Sequence, residues 1–232
     1  MNKDLTEIVF ILDRSGSMGH LTTDTIGGYN AFIDKQKKEA GAALVTTVLF
    51  DDYYEILHNA MDISHINPLT SKDYFVRGST ALLDAIGKTI NATIGRVRTL
   101  KEEYKAGKVI FVIITDGYEN ASCEYSYSTI KKMIDYQSEK YHWEFLFLGA
   151  NIDAASEGEK MGIRRDRSTN YTASHEGSAM MYNNISENVA FFRNEGKIKE
   201  DWDKDLKAST KAEAKPGKAD KTGKAAKTST KH

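Results

Sequence analysis

The sequence predicts an α/β protein built on a doubly wound, mostly parallel sheet with one antiparallel edge strand. Three observations carry this expectation. Short apolar runs alternate with stretches of helical periodicity along the chain, the pattern that successive βαβ units produce. Several of these runs are continuously apolar, as strands covered on both faces are. One pair of runs, residues 44–50 and 53–57, is separated only by Asp51 and Asp52. That spacing is too short for a crossover and suits a tight antiparallel hairpin.

The elements follow in order. Residues 7–12 are the first buried strand, and a Gly/Ser loop separates them from Ile26, Tyr29, Phe32 and Ile33 at helical spacing. The hairpin comes next. From Thr80 onward Leu83, Ile86, Ile90, Ile94 and Val97 recur every three or four residues, an amphipathic helix. Residues 109–114 form another buried strand, followed by a polar loop and a helix carrying Ile130, Met133 and Ile134. Residues 143–148 read as a strand, and 154–161 as a short helix stopped by Gly162, the residue that best closes a helix. Residues 169–172 suit a short edge strand. Met180, Met181, Ile185, Val189 and Phe192 form the last stripe, with the Met180-Met181 and Phe191-Phe192 pairs read as core. There is no internal repeat.

Of 232 residues 40% are hydrophobic and 28% charged, enough to bury a sizeable core in one domain. No run of about 18 apolar residues exists, which excludes a transmembrane helix. The start, Met1 to Glu7, is polar and acidic and lacks the basic segment and cleavage site of a secretory signal. The single cysteine, Cys123, makes no internal disulfide, so a reducing compartment, the cytoplasm, is expected. The net charge of −1 is unevenly spread: residues 204–232 hold nine lysines against Asp205, Glu213 and Asp220, which is +6 and leaves 1–203 at −7. Leu206 is the only apolar residue larger than Ala in that tail. The tail therefore reads as disordered, and residues 1–203 as the folded domain.

In doubly wound folds ligands bind beyond the carboxyl ends of the strands. Three loops there are rich in oxygen. The first carries Asp13, Ser15 and Ser17, the second Thr80 within Gly78-Ser79-Thr80-Ala81, and the third Asp116 within Thr115-Asp116-Gly117. Alternate spacing in the first loop lets its three side chains point to one side. Two carboxylates and three hydroxyls, with neither imidazole nor thiolate, suit Mg²⁺ or Mn²⁺ and not zinc. Taken singly, Asp13 or Ser15 could cap the next helix, and Asp116 could close a turn with Gly117. Together these roles fit poorly, because two converging carboxylates repel unless a cation lies between them.

On these residues the chain resembles the von Willebrand factor type A family. Asp13-x-Ser15-x-Ser17, then Thr80, then Asp116 match that family's metal-ion-dependent adhesion site in order and spacing, and the resemblance spans about residues 6 to 195. It implies the Rossmann-like fold of that family and direct metal contacts from Ser15, Ser17 and, in the ligand-bound form, Thr80. Asp13 and Asp116 would act mainly through water, and a partner's carboxylate would complete the metal's shell. It further implies a divalent-metal-dependent protein-interaction module, an adaptor in larger assemblies that often contain ring ATPases.

Other features are read conservatively. Asp51-Asp52 suits a hairpin turn better than a second cation site, Glu119-Asn120 line the rim, and Asp153 caps the next helix. Arg77 is a solvated residue within reach of Asp116 or a ligand. The histidines show no metal-ligand spacing and read as surface or half-buried, and Cys123 has no catalytic partner. An Mg²⁺-dependent phosphatase using Asp13 is the enzymatic alternative. Its usual second aspartate is replaced by Ser15, and no phosphate-binding glycine motif is present, so no enzymatic activity is expected. The lysine tail offers a weak, sequence-independent route to nucleic acid or an anionic surface.

Overall fold

A computed structural model of the protein describes residues 1–213. The continuous apolar runs form strands because each run serves two cores. In β1 (Asn2–Asp13) Ile8, Phe10 and Leu12 enter one core, and Val9 and Ile11 the other. In β4 (Ala106–Thr115) Ile110, Val112 and Ile114 alternate in the same way with Phe111 and Ile113. A period of two on a sheet covered on both sides gives an unbroken apolar sequence.

The remaining elements are α1 (Thr22–Gln36), β2 (Ala42–Phe50), β3 (Tyr54–Asp62), α2 (Leu82–Thr99), α3 (Tyr127–Tyr141), β5 (Glu144–Gly149), α4 (Ala154–Lys160), β6 (Ser168–Asn170), α5 (His175–Glu195) and α6 (Lys204–Glu213). The sheet order is β3-β2-β1-β4-β5-β6. All neighbours pair in parallel except β2 and β3. Helices α1, α5 and α6 supply the first core, and α2, α3 and α4 the second. On the second side Phe111 stacks on Trp143 and Phe145 at 5.4 and 4.8 Å between ring centres. Truncating Phe111 to Ala would cost about 3–5 kcal/mol by leaving a cavity there. Helix α4 stops where expected, with Gly162 at φ 87°.

The predicted architecture therefore holds, with three corrections of detail. The first concerns the domain boundary. Residues 204–213 are not a disordered tail but a helix, α6, packed beside β6. Its Leu206 is 1% exposed and joins Ile198 and Trp202 in the core. The Trp202 ring N–H donates to the Asp166 carbonyl at 2.7 Å, fixing the segment before the helix. One leucine suffices because Ile198 and Trp202 prepare its seat. The rest of the expected tail, 214–232, lies outside the described residues. Second, the last helical stripe is narrower than read: Met181 and Phe192 are buried, but Met180 is exposed and Phe191 half-buried. Third, His58 is buried, with its ring 3.4 Å from the Tyr29 hydroxyl, and burial lowers its pKa.

Candidate metal centre

The strand order reverses at β1, which has β2 on one side and β4 on the other. The loops leaving β1 and β4 therefore diverge and open a crevice between them. Asp13, the last residue of β1, is fully buried there. Its Oδ1 accepts the Ser15 N–H at 2.7 Å and its Oδ2 accepts the Thr115 hydroxyl of β4 at 2.6 Å. The first bond turns the loop so that Ser15 and Ser17 face the same side, their hydroxyls 3.1 Å apart. The Ser17 hydroxyl then donates to Asp116 Oδ1 at 2.5 Å, joining loops 99 residues apart.

Thr80 completes the group, and Gly117 shows where. A Cβ placed on Gly117 would lie 3.7 Å from Ser17 Oγ and 3.9 Å from Thr80 Oγ1. The absent side chain leaves a small space into which both hydroxyls look. All five predicted residues are thus brought together. The single-residue roles are partly present too: Asp13 does hold a local turn, whereas Ser15 precedes the short helical segment Gly16–Leu21 without capping it.

The Thr80 loop is a built structure. Gly16 N–H donates to the Gly78 carbonyl at 3.2 Å and Arg77 N–H to the Arg14 carbonyl at 2.9 Å. Gly78 sits at φ 62°, and a Cβ there would lie 1.8 Å from Asp52 Oδ1, so glycine is required. Asn120 grips Thr80 from the other side, its Oδ1 accepting the Thr80 N–H at 2.9 Å and its N–H donating to the Thr80 carbonyl at 3.0 Å. Helix α2 has Ala81 at its cap, which offers no side-chain acceptor. Glu119 supplies one from the third loop, accepting the Leu83 N–H at 2.9 Å. Asp84 returns the favour by accepting the N–H groups of Cys123, Glu124 and Tyr125 at 2.9–3.0 Å. Asp84, Glu119 and Asn120 therefore lock two loops together, a positioning role that the sequence reading missed. The available signal was a helix start lacking a capping residue beside a polar loop holding acidic ones.

Electrostatically the crevice is unbalanced. Burial is the main reason that the Asp13 carboxyl rises to about 6; donation by Thr115 and Ser15 opposes it, and the Asp116 charge adds the smallest contribution. Asp116 is raised as well, again chiefly by burial, with Ser17 opposing. Desolvation, more than the mutual repulsion inferred from sequence, is what makes two carboxylates costly here. Among the described residues no lysine or arginine forms an ion pair with either group, and Asp116 Oδ2 is buried without a hydrogen-bond partner. Nor do three His, Cys, Asp or Glu side chains converge anywhere among them, so a metal at this crevice must rely on hydroxyls. Two carboxylates, three hydroxyls and one unpartnered buried oxygen fit a hard divalent ion.

The surrounding residues resolve as follows. Asp51 is more than a turn residue: it is fully buried, 2.5 Å from Arg77 Nε and 3.3 Å from Arg14 Nε. Arg77 thus pairs with Asp51 and not with Asp116, its guanidinium 5.1 and 5.5 Å from the ring centres of Tyr53 and Phe75. Asp153 caps α4 as expected, accepting the Ser156 N–H at 3.0 Å. The Tyr74 hydroxyl donates to the Asp13 carbonyl at 2.5 Å, supporting the crevice from below.

No family model matches the sequence, and no curated protein does. Solved structures do. Proximal thread matrix protein 1 from the mussel byssus, with a zinc-occupied MIDAS motif, is 15% identical with a TM-score of 0.56, over 80% of this chain and 46% of that one. Manganese-loaded TRAP protein from Plasmodium vivax is 16% identical with a TM-score of 0.53, over 78% and 73%. A von Willebrand factor type A structure from Catenulispora acidiphila is 13% identical with a TM-score of 0.54, over 80% and 42%. The chain spans under half the length of the mussel protein. In its mixed six-stranded sheet and flanking helices, this chain has the fold of von Willebrand factor type A domains.

Proposed function

We propose that this protein is a divalent-metal-dependent protein-interaction module, an adaptor and not an enzyme, that captures a carboxylate of a partner protein. The single observation behind this reading is the convergence of Asp13, Ser15, Ser17, Thr80 and Asp116 from three loops around a buried, unpartnered carboxylate oxygen. Mg²⁺ or Mn²⁺ is the ion that this oxygen set prefers, and solved structures of the same fold include one loaded with manganese and one with zinc at its MIDAS motif. When bound, the ion supplies a Lewis-acidic position open to an outside oxygen ligand.

The chain's own residues perform the rest. The three hydroxyls are neutral ligands, which leaves the ion's charge largely uncompensated toward solvent. Asp13 is held by Thr115 and Ser15, so its carboxylate stays oriented without a cation. Asn120 and Glu119 keep the Thr80 loop beside Asp116. The proposed setting is the cytoplasm and the proposed partner a component of a larger assembly, in the manner of ATPase-linked adaptors. Among the described residues no helix is long and apolar enough to cross a membrane.

Partner capture from a lysate, with Mg²⁺ and with EDTA, tests this reading. Capture that requires metal and is lost in Ser15→Ala/Ser17→Ala supports it. Capture indifferent to both refutes it.

A further inference from the structure

The last strands of the sheet bring a buried hydroxyl toward the metal crevice. The ladder pairs Thr115 of β4 with Gly149 of β5, and Gly149 with Asn170 of β6. It runs on for one more step, because Ala150 N–H donates to the Thr115 carbonyl at 3.0 Å and Tyr171 N–H to the Gly149 carbonyl at 3.1 Å. Asp116, Ala150 and Tyr171 therefore form one row at the carboxyl ends. Ala150 and Tyr171 enter the first core, and so does Ile114, two residues before Asp116. Side chains alternate along a strand, so all three share one side of the sheet.

Neighbouring strands lie about 4.8 Å apart, which sets the Tyr171 backbone roughly 10 Å from that of Asp116. Ala150 between them is fully buried and carries only a methyl group, so the Tyr171 ring can reach across it toward the carboxylate. Tyr171 is 3% exposed, and its hydroxyl has no hydrogen-bond partner among the described residues. Burial holds that hydroxyl well above its ordinary pKa, and Tyr182, Asp116, Tyr74 and Asp13 add to the rise in that order. It is therefore a neutral donor with the two carboxylates close by. Asp116 Oδ2 and the Tyr182 hydroxyl are likewise buried without a partner. Of these two the carboxylate oxygen is the stronger acceptor, because it is charged and can only accept.

We infer that Tyr171 is a positioning residue of the metal centre, its hydroxyl donating to Asp116 Oδ2 through one buried water. Bridging polar groups that the protein's own atoms leave unmatched is what buried waters do. Ser17 holds Asp116 Oδ1 from the crevice side, and Tyr171 holds Oδ2 from the core side, so the carboxylate is fixed in rotation. The consequence rests on the metal-site reading: an Asp116 held at both oxygens binds the ion more tightly than one held at a single oxygen.

The test compares the full chain with Tyr171→Phe and Tyr182→Phe, each of which keeps the ring and removes only the hydroxyl. Mn²⁺ affinity by calorimetry should fall about tenfold in Tyr171→Phe, the usual order for losing a group that orients a metal ligand, and stay within about twofold in Tyr182→Phe. A second readout needs no metal. In EDTA the ring Cζ NMR signal of Tyr171, which reports the hydrogen bond of its hydroxyl, should move in Asp116→Ala. The Cζ signal of Tyr29, whose hydroxyl is 2.7 Å from that of Thr47, should stay in place. Equal Mn²⁺ affinity in the wild type and Tyr171→Phe, or a Tyr171 signal indifferent to Asp116→Ala, overturns the proposal. Equal losses in the two tyrosine variants overturn it too, since they mark a packing effect common to the core. If the wild type binds no Mn²⁺, the metal-site reading falls, and the EDTA spectra by themselves decide whether Tyr171 is linked to Asp116.

Discussion

Asp13 and Asp51 stand almost side by side at the carboxyl ends of paired strands, Asp13 being in register with Phe50. Both are completely buried. Asp51 is surrounded by cations: Arg77 at 2.5 Å and Arg14 at 3.3 Å, with Arg14 also 2.8 Å from Glu55. Asp13 receives only neutral donors, Thr115 and Ser15, and neighbouring Asp116 receives Ser17. A buried carboxylate normally finds a partner charge or loses its own. Asp51 follows the rule within the chain. The crevice departs from it, which is the signature of a site completed from outside.

The largest expected effect tests the satisfied half of this comparison. Asp51→Asn removes the buried carboxylate that Arg14 and Arg77 share, leaving Arg14 only the half-exposed Glu55, and should cost about 3–5 kcal/mol in urea unfolding. Asp13→Asn removes a charge that burial disfavours, so it should leave the metal-free protein equally or more stable. Similar losses in both variants would break the comparison.

Next is the pH dependence of the metal-free protein. The Asp13 carboxyl rises from 3.8 to about 6 on folding, so the folded state holds its proton more tightly than the unfolded chain. This group's penalty is fully present above pH 6 and absent below the unfolded value. Stability in EDTA should therefore increase on acidification from pH 7 toward 4, by up to about 3 kcal/mol from this group. The gain should vanish in Asp13→Asn. Mg²⁺ binding should weaken over the same interval, because proton and metal compete for the carboxylate.

A comparable effect is expected from metal itself. Mg²⁺ at about a hundred times its dissociation constant should stabilise the protein by about 2.7 kcal/mol, read as a rise in melting temperature. Ser15→Ala/Ser17→Ala should abolish that rise. EDTA should leave the circular dichroism intact, since the two cores form without any metal ligand. The smallest effect belongs to Asn120→Ala, which removes the acceptor for the Thr80 N–H. It should cost about 1 kcal/mol and weaken metal binding by loosening the third hydroxyl. Unchanged calorimetry in this variant would show that Thr80 is held by its own loop.

The candidate site was legible where chemistry is local. Asp13, Ser15 and Ser17 announce themselves by alternate spacing, and Thr80 and Asp116 by their place after or before predicted elements. What holds them was not legible. Glu119 and Asn120 looked like rim residues, yet Asn120 clamps Thr80 across 40 residues and Glu119 caps α2 across 36. Arg77 is exposed, as read, but it also closes an ion pair with Asp51, 26 positions away, which was not legible. Such partners are chosen by loop packing, which leaves no periodic trace in the sequence.

By itself the sequence determined the strands, helices α1 to α5, the antiparallel edge and the oxygen set. Each of these follows from local terms, namely apolar period, turn length and side-chain chemistry. Only the tertiary structure decided that α6 joins the domain, because one leucine becomes an anchor only when Ile198 and Trp202 already form its socket. Only the tertiary structure, too, separated Asp51 from Asp13. The two are equally acidic in sequence, and burial beside two arginines or beside hydroxyls alone makes one a structural ion pair and the other a candidate ligand.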